Sequence, residues 1–295
     1  MSKAERIAAG SIGIGALVLA LKATAWWLTG SAALYSDALE SIVNVVASAV
    51  ALWALRVAAK PADANHTYGH DKAEFFAAVV EGVFIVVAAV SILQHAWASW
   101  QNPVPFDMPG PGIAANFVAT LINAGWGSYL LRQGRALRSA ALTADGRHVV
   151  SDVVTSVAIL AGVAAVLLSG RLWLDPLIAA AAAVHVLWSG MSMISQSAGG
   201  LMDAAPAADV VDRIRRLVAD NAEGAIEAHD LRTRYTGKVT FVEFHMVVPG
   251  SMAVAEAHAI CDRVEAALKT AMQGAIVTIH VEPEGKAKHH GVIVL

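Results

Sequence analysis

Six apolar runs, at about 7–29, 32–55, 74–99, 111–133, 143–169 and 172–196, fill most of the first two thirds of the chain. A membrane-crossing helix needs about 20 such residues, so each run is long enough to span a bilayer. The character changes at about residue 203. "AADVVDRIRRLVADNAEG" places Val210, Val211, Ile214 and Leu217 on one side of a helix and charges on the other. "AIEAHDLRTRY" and "KVTFVEFHMVV" alternate as strands do and are joined by "TGK", the signature of a hairpin. A second helix over about Val254 to Met272 and a last strand, "AIVTIHVEP", complete an α-β-β-α-β order. The pattern predicts a membrane bundle of six transmembrane helices followed by a small cytoplasmic α+β domain of reduced ferredoxin-like layout. The expected boundaries are 1–202, 203–285 and a loose C-terminal tail over 286–295.

Several polar residues break the apolar runs. Asp37, Glu40 and Asn44 are spaced i, i+3 and i+7 in the second span, so they share one helix face. His148 and Asp152, at i and i+4, do the same in the fifth span. Carboxylates at membrane depth cost several kcal/mol, roughly, unless they meet a partner, a cavity or an ion. Two such faces satisfy each other around a cation, and imidazole with carboxylate suits Zn²⁺ and related divalent ions. Outside the spans, Asp63, His66 and His70 crowd one loop, where Pro61 and Gly69 permit tight turns. In the last third, His229, His245, His258 and His280 accompany Glu282, which shares a strand face with His280. Val242, Phe244 and Met246 fall on the face opposite His245 and Glu243. Lys72, just after the loop of His66 and His70, and Asp203, after the sixth span, are candidates for a hinge pair.

Composition agrees with the pattern. The chain is 57% hydrophobic and 15% charged, with mean hydropathy +0.56, outside the usual range of a soluble domain. A net charge of -3 and the absence of a basic run argue against a nucleic-acid partner. One cysteine, Cys261, excludes a disulfide framework. Lys3, Arg6, Arg56, Lys60, Lys72, Arg132, Arg135, Arg138 and Arg147 fall in loops on one side, against Arg171 on the other. The positive-inside rule then places both termini in the cytoplasm. The first run lacks a small-residue cleavage site and reads as a retained span. No phosphate-binding loop and no His-Glu-x-x-His appear, which argues against an ATP-driven pump and a metallohydrolase. A proton competes with metal for the His148 nitrogen, so protonation there opposes metal binding. The rival reading is a membrane-anchored metal sensor or storage protein, for which the buried polar residues of the spans would have no use.

"GSAALYSDALESIVNVVAS", "PADANHTYGHDKAE", "HVVSD", "LDPLIA" and "HDLRTRYTG" resemble the cation diffusion facilitator family, in particular its bacterial zinc and ferrous-iron efflux type. The similarity runs nearly the whole length. It implies an inner-membrane homodimer, not an enzyme and without a resident cofactor, that exchanges a cytoplasmic divalent cation for protons. It also implies a transport site at Glu40, Asn44, His148 and Asp152 and a loop site at Asp63, His66 and His70. A binuclear cytoplasmic site is implied at His229, His245, His258, His280 and Glu282. The chain departs from the family pattern in two places. The zinc type usually has Asp or His, then Asp, where this chain has Glu40 and Asn44, so Fe²⁺, Mn²⁺ or Co²⁺ become competitors of Zn²⁺ and Asp37 a possible charge donor. Glu282 stands where Asp is expected.

Overall fold

The computed structural model describes residues 2–295 apart from 103, 104, 106, 108, 237, 238, 273, 289–292 and 295. It divides into two compact units, Met1–Ala198 and Gly199–Leu295.

The first unit is built from long helices: α1 (Lys3–Thr29), α2 (Ala32–Ala58), α3 (Ala73–Gln101), α4 (Pro109–Ala136), α5 (Ala140–Ser169) and α6 (Leu174–Leu201). Five are long and apolar enough to cross a membrane. The sixth expected span, α4, matches the others in length but not in apolarity. Asn116, Asn123 and repeated glycines dilute it, and its membrane crossing is not established by composition. Trp27, Trp97, Leu168 and Trp188 point outward from the bundle, as side chains facing lipid do.

Local chemistry fixes the helix ends. Ser2 caps α1 through a capping box with Glu5, which carries the helix past the predicted start to include Arg6. The two helices bearing the polar faces are each held at the N-terminus by a carboxylate from another helix. Asp175 of α6 accepts from Ser31 Oγ at 2.6 Å and Ala32 N at 2.7 Å, at the start of α2. Glu74 of α3 accepts from Ser139 Oγ at 2.5 Å and Ala141 N at 3.1 Å, at the start of α5. A negative charge at a helix N-terminus is stabilising there, so these contacts set the axial position of α2 and α5.

The second unit follows the expected order: α7 (Ala208–Asn221), β1 (Glu227–Tyr235), β2 (Thr240–Val248), α8 (Val254–Ala271) and β3 (Ala275–Pro283). β1 pairs antiparallel with β2, and β3 joins the far edge of β2 in parallel. Val242, Phe244 and Met246 pack with Ile214, Val218, Ile260, Val264 and Leu268, so both helices cover one face of the sheet. Gly237 and Lys238 of the expected turn lie outside the described residues. The tail departs from its prediction. A 3-10 turn over Glu284–Lys286 leads to Lys288, whose backbone N–H reaches Glu227 at 2.5 Å and whose Nζ reaches Asp230 at 2.6 Å. β4 (Ile293–Val294) then pairs antiparallel with β1, giving the order β3-β2-β1-β4. Two residues are too few for a strand to show as a pattern in the sequence.

Candidate metal centre

α2 and α5 meet through a ladder of polar contacts. Asp37 accepts from Ser156 Oγ at 2.7 Å, Glu40 from Thr155 Oγ1 at 3.2 Å, and Asp152 from Asn44 Nδ2 at 3.3 Å. Ser48 Oγ lies 3.5 Å from Asp145 at the next level. Residue numbers rise along α2 as they fall along α5, so the two helices run antiparallel and their predicted faces oppose each other. Asp37, Glu40, Asn44, His148 and Asp152 are all buried. One oxygen from each of Asp37, Glu40 and Asp152 lies within 4.8 Å of the others, a group that does not include His148.

Sequence reasoning missed the centre of this cluster. Lys22 of α1 is fully buried, and its Nζ lies 2.8 Å from Asp37 Oδ1, 2.9 and 2.8 Å from the two Asp152 oxygens, and 2.9 Å from Ser156 Oγ. Two amides of α4 add further donors. Asn116 Nδ2 reaches Asp37 Oδ2 at 2.5 Å, and Asn123 Nδ2 bonds Asp152 Oδ2. A signal was available, since Lys22 interrupts an apolar run and a lysine at membrane depth needs a partner. Attention to loop charges alone passes over it.

Asp37 and Asp152 are therefore well supplied with donors. Three other atoms are not. Among the described residues, Glu40 Oε1, Asn44 Oδ1 and His148 Nε2 are buried with no hydrogen-bond partner. Unpartnered buried acceptors cost about 1–3 kcal/mol each, more when charged. All three belong to the predicted ligand set, and oxygen and nitrogen lone pairs of this kind suit a divalent transition metal.

Asp63, His66 and His70 come together on the α2–α3 loop. Gly69, at φ 88°, supplies the left-handed turn that returns His70 toward Asp63. Asp63 Oδ1 accepts from the backbone of His66 at 2.7 Å and lies 3.2 Å from its Nδ1, while His70 Nε2 lies 3.4 Å from Asp63 Oδ2. The His66 backbone N–H, with that of Asn65, holds the Asp63 carboxyl below the usual carboxylate range. One donor atom from each of the three residues falls within 4.8 Å of the other two, and the cluster is largely exposed.

Sheet register builds the third set. His229 on β1 sits opposite His245 on β2, which sits opposite His280 on β3, a row of imidazoles across three strands. Their ring centroids are 5.3 and 4.9 Å apart. Glu282 serves all three, with oxygens 3.3 Å from His229 Nε2, 3.3 Å from His245 Nδ1 and 3.6 Å from His280 Nε2. His229 Nδ1 is oriented by Glu227 Oε1 at 3.0 Å. His258 stands apart within the chain. It projects from α8 beside Asp262 at 3.7 Å, near Val277, Ile279 and Val281, the strand positions that alternate with His280 and Glu282. Helix α8 covers the opposite side of the sheet from the imidazole row, which a reading of residue types could not reveal. Asp203, at φ 59°, lies 3.8 Å from Arg234 within the second unit.

The family profile described as "Cation efflux transmembrane domain" matches residues 10–202, and that described as "Cation efflux protein, cytoplasmic domain" matches 206–284. The chain belongs to the cation efflux family. It is thus a multi-pass membrane protein of a transporter family, with a helical transmembrane domain and a small cytoplasmic domain. An uncharacterised transporter of Synechocystis sp. is 40% identical over 273 residues, covering 92% of this chain and 88% of that protein. The cation-efflux pump FieF of Escherichia fergusonii is 33% identical over 281 residues, covering 95% and 92%. A solved structure of CzrB in a zinc form is 46% identical over 29% of this chain and 97% of that one, with a TM-score of 0.28.

Proposed function

We propose that this cation efflux protein exports a divalent transition metal from the cytoplasm in exchange for protons, with Zn²⁺ the first candidate and Fe²⁺, Mn²⁺ and Co²⁺ the alternatives. The observation that carries the reading is the trio of unpartnered buried acceptors, Glu40 Oε1, Asn44 Oδ1 and His148 Nε2, beside Asp152. Glu40 and Asp152 bring two negative charges, His148 a nitrogen and Asn44 a neutral oxygen, a set that neutralises a divalent ion. Asp152 is shared between this set and Lys22. Metal entry loosens the ammonium from Asp152, and metal departure lets it return, so Asp152 keeps a cationic partner when the site is empty. A proton that takes the His148 nitrogen removes a metal ligand and promotes release.

In this reading the protein works as a homodimer in the inner membrane with both termini in the cytoplasm. The cytoplasmic imidazole row and the loop cluster bind metal from the cytoplasm and regulate or stabilise the carrier. His258 joins the row from a second copy, and Lys72 and Asp203 pair across the dimer as a hinge. Flux of Zn²⁺ into proteoliposomes under an imposed pH gradient tests the proposal. Asp152→Asn and His148→Ala are expected to abolish flux while leaving a folded dimer. Normal flux in either variant overturns the site assignment.

A further inference from the structure

A second pair of buried carboxylates lies outside this site. Glu81 of α3 and Asp145 of α5 are 2% and 0% exposed. Glu81 Oε1 and Asp145 Oδ2 have no hydrogen-bond partner among the described residues. The charged group that Glu81 senses is Asp145, and the groups facing Asp145 are the hydroxyls of Ser11 on α1 and Ser48 on α2. Among the described residues, no cationic side chain faces the pair as Lys22 faces Asp37 and Asp152. Its nearby apolar neighbours include Ala78 and Ala144.

Position and packing give the pair its meaning. Asp145 precedes Asp152 by seven residues, or about 10 Å along a helix. It lies toward the end where α2 finishes and α3 and α5 begin, the end that the basic loops assign to the cytoplasm. Each carboxylate adjoins a glycine that clamps its helix against another. A Cβ at Gly82 would stand 3.1 Å from the Gly190 carbonyl oxygen of α6, and one at Gly146 would stand 2.9 Å from the Leu131 nitrogen of α4. Close contacts between small residues hold such helices in fixed relation. Glu74 meets Ser139 and Ala141 where α5 begins, and α3 and α5 run in the same direction from there, so Glu81, seven residues past Glu74, comes level with Asp145, six past Ser139. At that depth their charge must be met by a proton or a cation.

We infer that Glu81 and Asp145 form a second, oxygen-only binding site that receives the divalent cation on its way from the cytoplasm to the transport site. Oxygen donors without imidazole hold a transition metal less firmly than a mixed set. A station on a conduction path must bind well enough to admit an ion and weakly enough to pass it on. The inference rests on the transport reading above.

The test uses the full-length protein in proteoliposomes, with initial Zn²⁺ flux measured against Zn²⁺ concentration on the cytoplasmic face. Glu81→Gln and Asp145→Asn keep shape and remove charge. Each is expected to raise KM about tenfold, with most of the lost flux recovered at saturating Zn²⁺. A flux loss that persists at saturation with KM unchanged shows a structural role and overturns the inference. So does a shifted pH profile with unchanged KM, which marks a proton carrier only. Mn²⁺ binding followed by electron paramagnetic resonance in full-length Asp152→Asn supplies a second reading. One membrane-embedded Mn²⁺ should remain there and disappear when Asp145→Asn is added; its absence from the Asp152→Asn protein overturns the inference. Normal flux in Asp152→Asn would instead sink the transport site, so the two failures are distinguishable.

Discussion

Replacing Lys22 by methionine keeps the length of the side chain and deletes its charge. In the folded protein this ammonium is held by Asp37, both oxygens of Asp152 and Ser156, at 2.8 to 2.9 Å. Removing one member of a buried ionic network leaves the others uncompensated, at a cost of ~3–5 kcal/mol. The metal-free Lys22→Met protein should therefore melt well below the parent. Its response to metal should move the other way. In the proposed site of the parent, a divalent ion would have to draw Asp152 away from Lys22. One charge-assisted hydrogen bond is worth about 1.5–3 kcal/mol, and 1.4 kcal/mol is a factor of ten, so losing the competitor should tighten metal binding roughly tenfold to hundredfold. Metal should then rescue the variant's stability, while tighter binding slows release and lowers turnover. Thermal melts of the detergent-solubilised protein across a Zn²⁺ series, with flux in proteoliposomes, read both effects. If Lys22→Met melts like the parent and binds Zn²⁺ no more tightly, Lys22 is a spectator and the exchange of Asp152 between ammonium and metal is wrong.

Other consequences are simpler to state. Glu40 has a free oxygen whereas Asp37 is filled by Lys22, Ser156 and Asn116. Glu40→Gln should therefore abolish metal binding, and Asp37→Asn should chiefly lower stability; the reverse outcome in Zn²⁺ titrations makes Asp37 the ligand. Asn44→Asp adds a carboxylate beside Asp152 and should change the ranking among Zn²⁺, Fe²⁺, Mn²⁺ and Co²⁺ in competitive flux assays. The isolated domain from residue 203 onward should gain about 2.7 kcal/mol at a Zn²⁺ concentration one hundred times Kd, roughly 10–20 °C in Tm. His229→Ala should erase most of that gain, and an unchanged Tm with Zn²⁺ refutes the imidazole row as a site. The Lys288 hydrogen bond holds the Asp230 carboxyl below the usual range. A lowered folded value means that the contact stabilises above the unfolded carboxylate value near ~3.9 and is lost as pH falls through the lowered one. Lys288→Met should remove that part of the acid limb in a melt of the same fragment against pH.

The legible parts of the molecule were those written in periodicity. Apolar length gave the helices of the bundle, and alternation gave β1, β2 and β3 with the face shared by Val242, Phe244 and Met246. Spacing also showed that Asp37, Glu40 and Asn44 point one way, because helix geometry fixes that without help from the rest of the chain. What spacing cannot show is which distant side chain fills the space between two faces. Lys22 is separated from Asp152 by 130 residues, and only packing of α1 against α2, and of α2 against α5, brings them together. The same limit separates His280, placed beside His245 by strand register, from His258, carried away by the helix on the other side of the sheet. Family resemblance added a ligand set but no account of what holds that set when metal is absent.

The two ligand helices carry one pattern, and its asymmetric use has a physical consequence. Asp37 precedes Glu40 by three residues and Asn44 by seven; Asp145 precedes His148 and Asp152 by the same intervals. Since α2 and α5 run antiparallel, the leading aspartates fall on opposite sides of the ligand layer. On one side Asp37 is locked by a permanent internal cation and the Asn116 amide. On the other, Asp145 faces hydroxyls and a second carboxylate. A cation leaving the layer past Asp37 meets a charge already neutralised, whereas one arriving past Asp145 meets unsatisfied oxygens. In the proposed transport cycle this arrangement would draw cations from the side of Asp145 and hold them less on the side of Lys22, a polarity that fits export. Moving the lysine would test this directly: Lys22→Met combined with Glu81→Lys should weaken uptake from the cytoplasmic face far more than Lys22→Met alone.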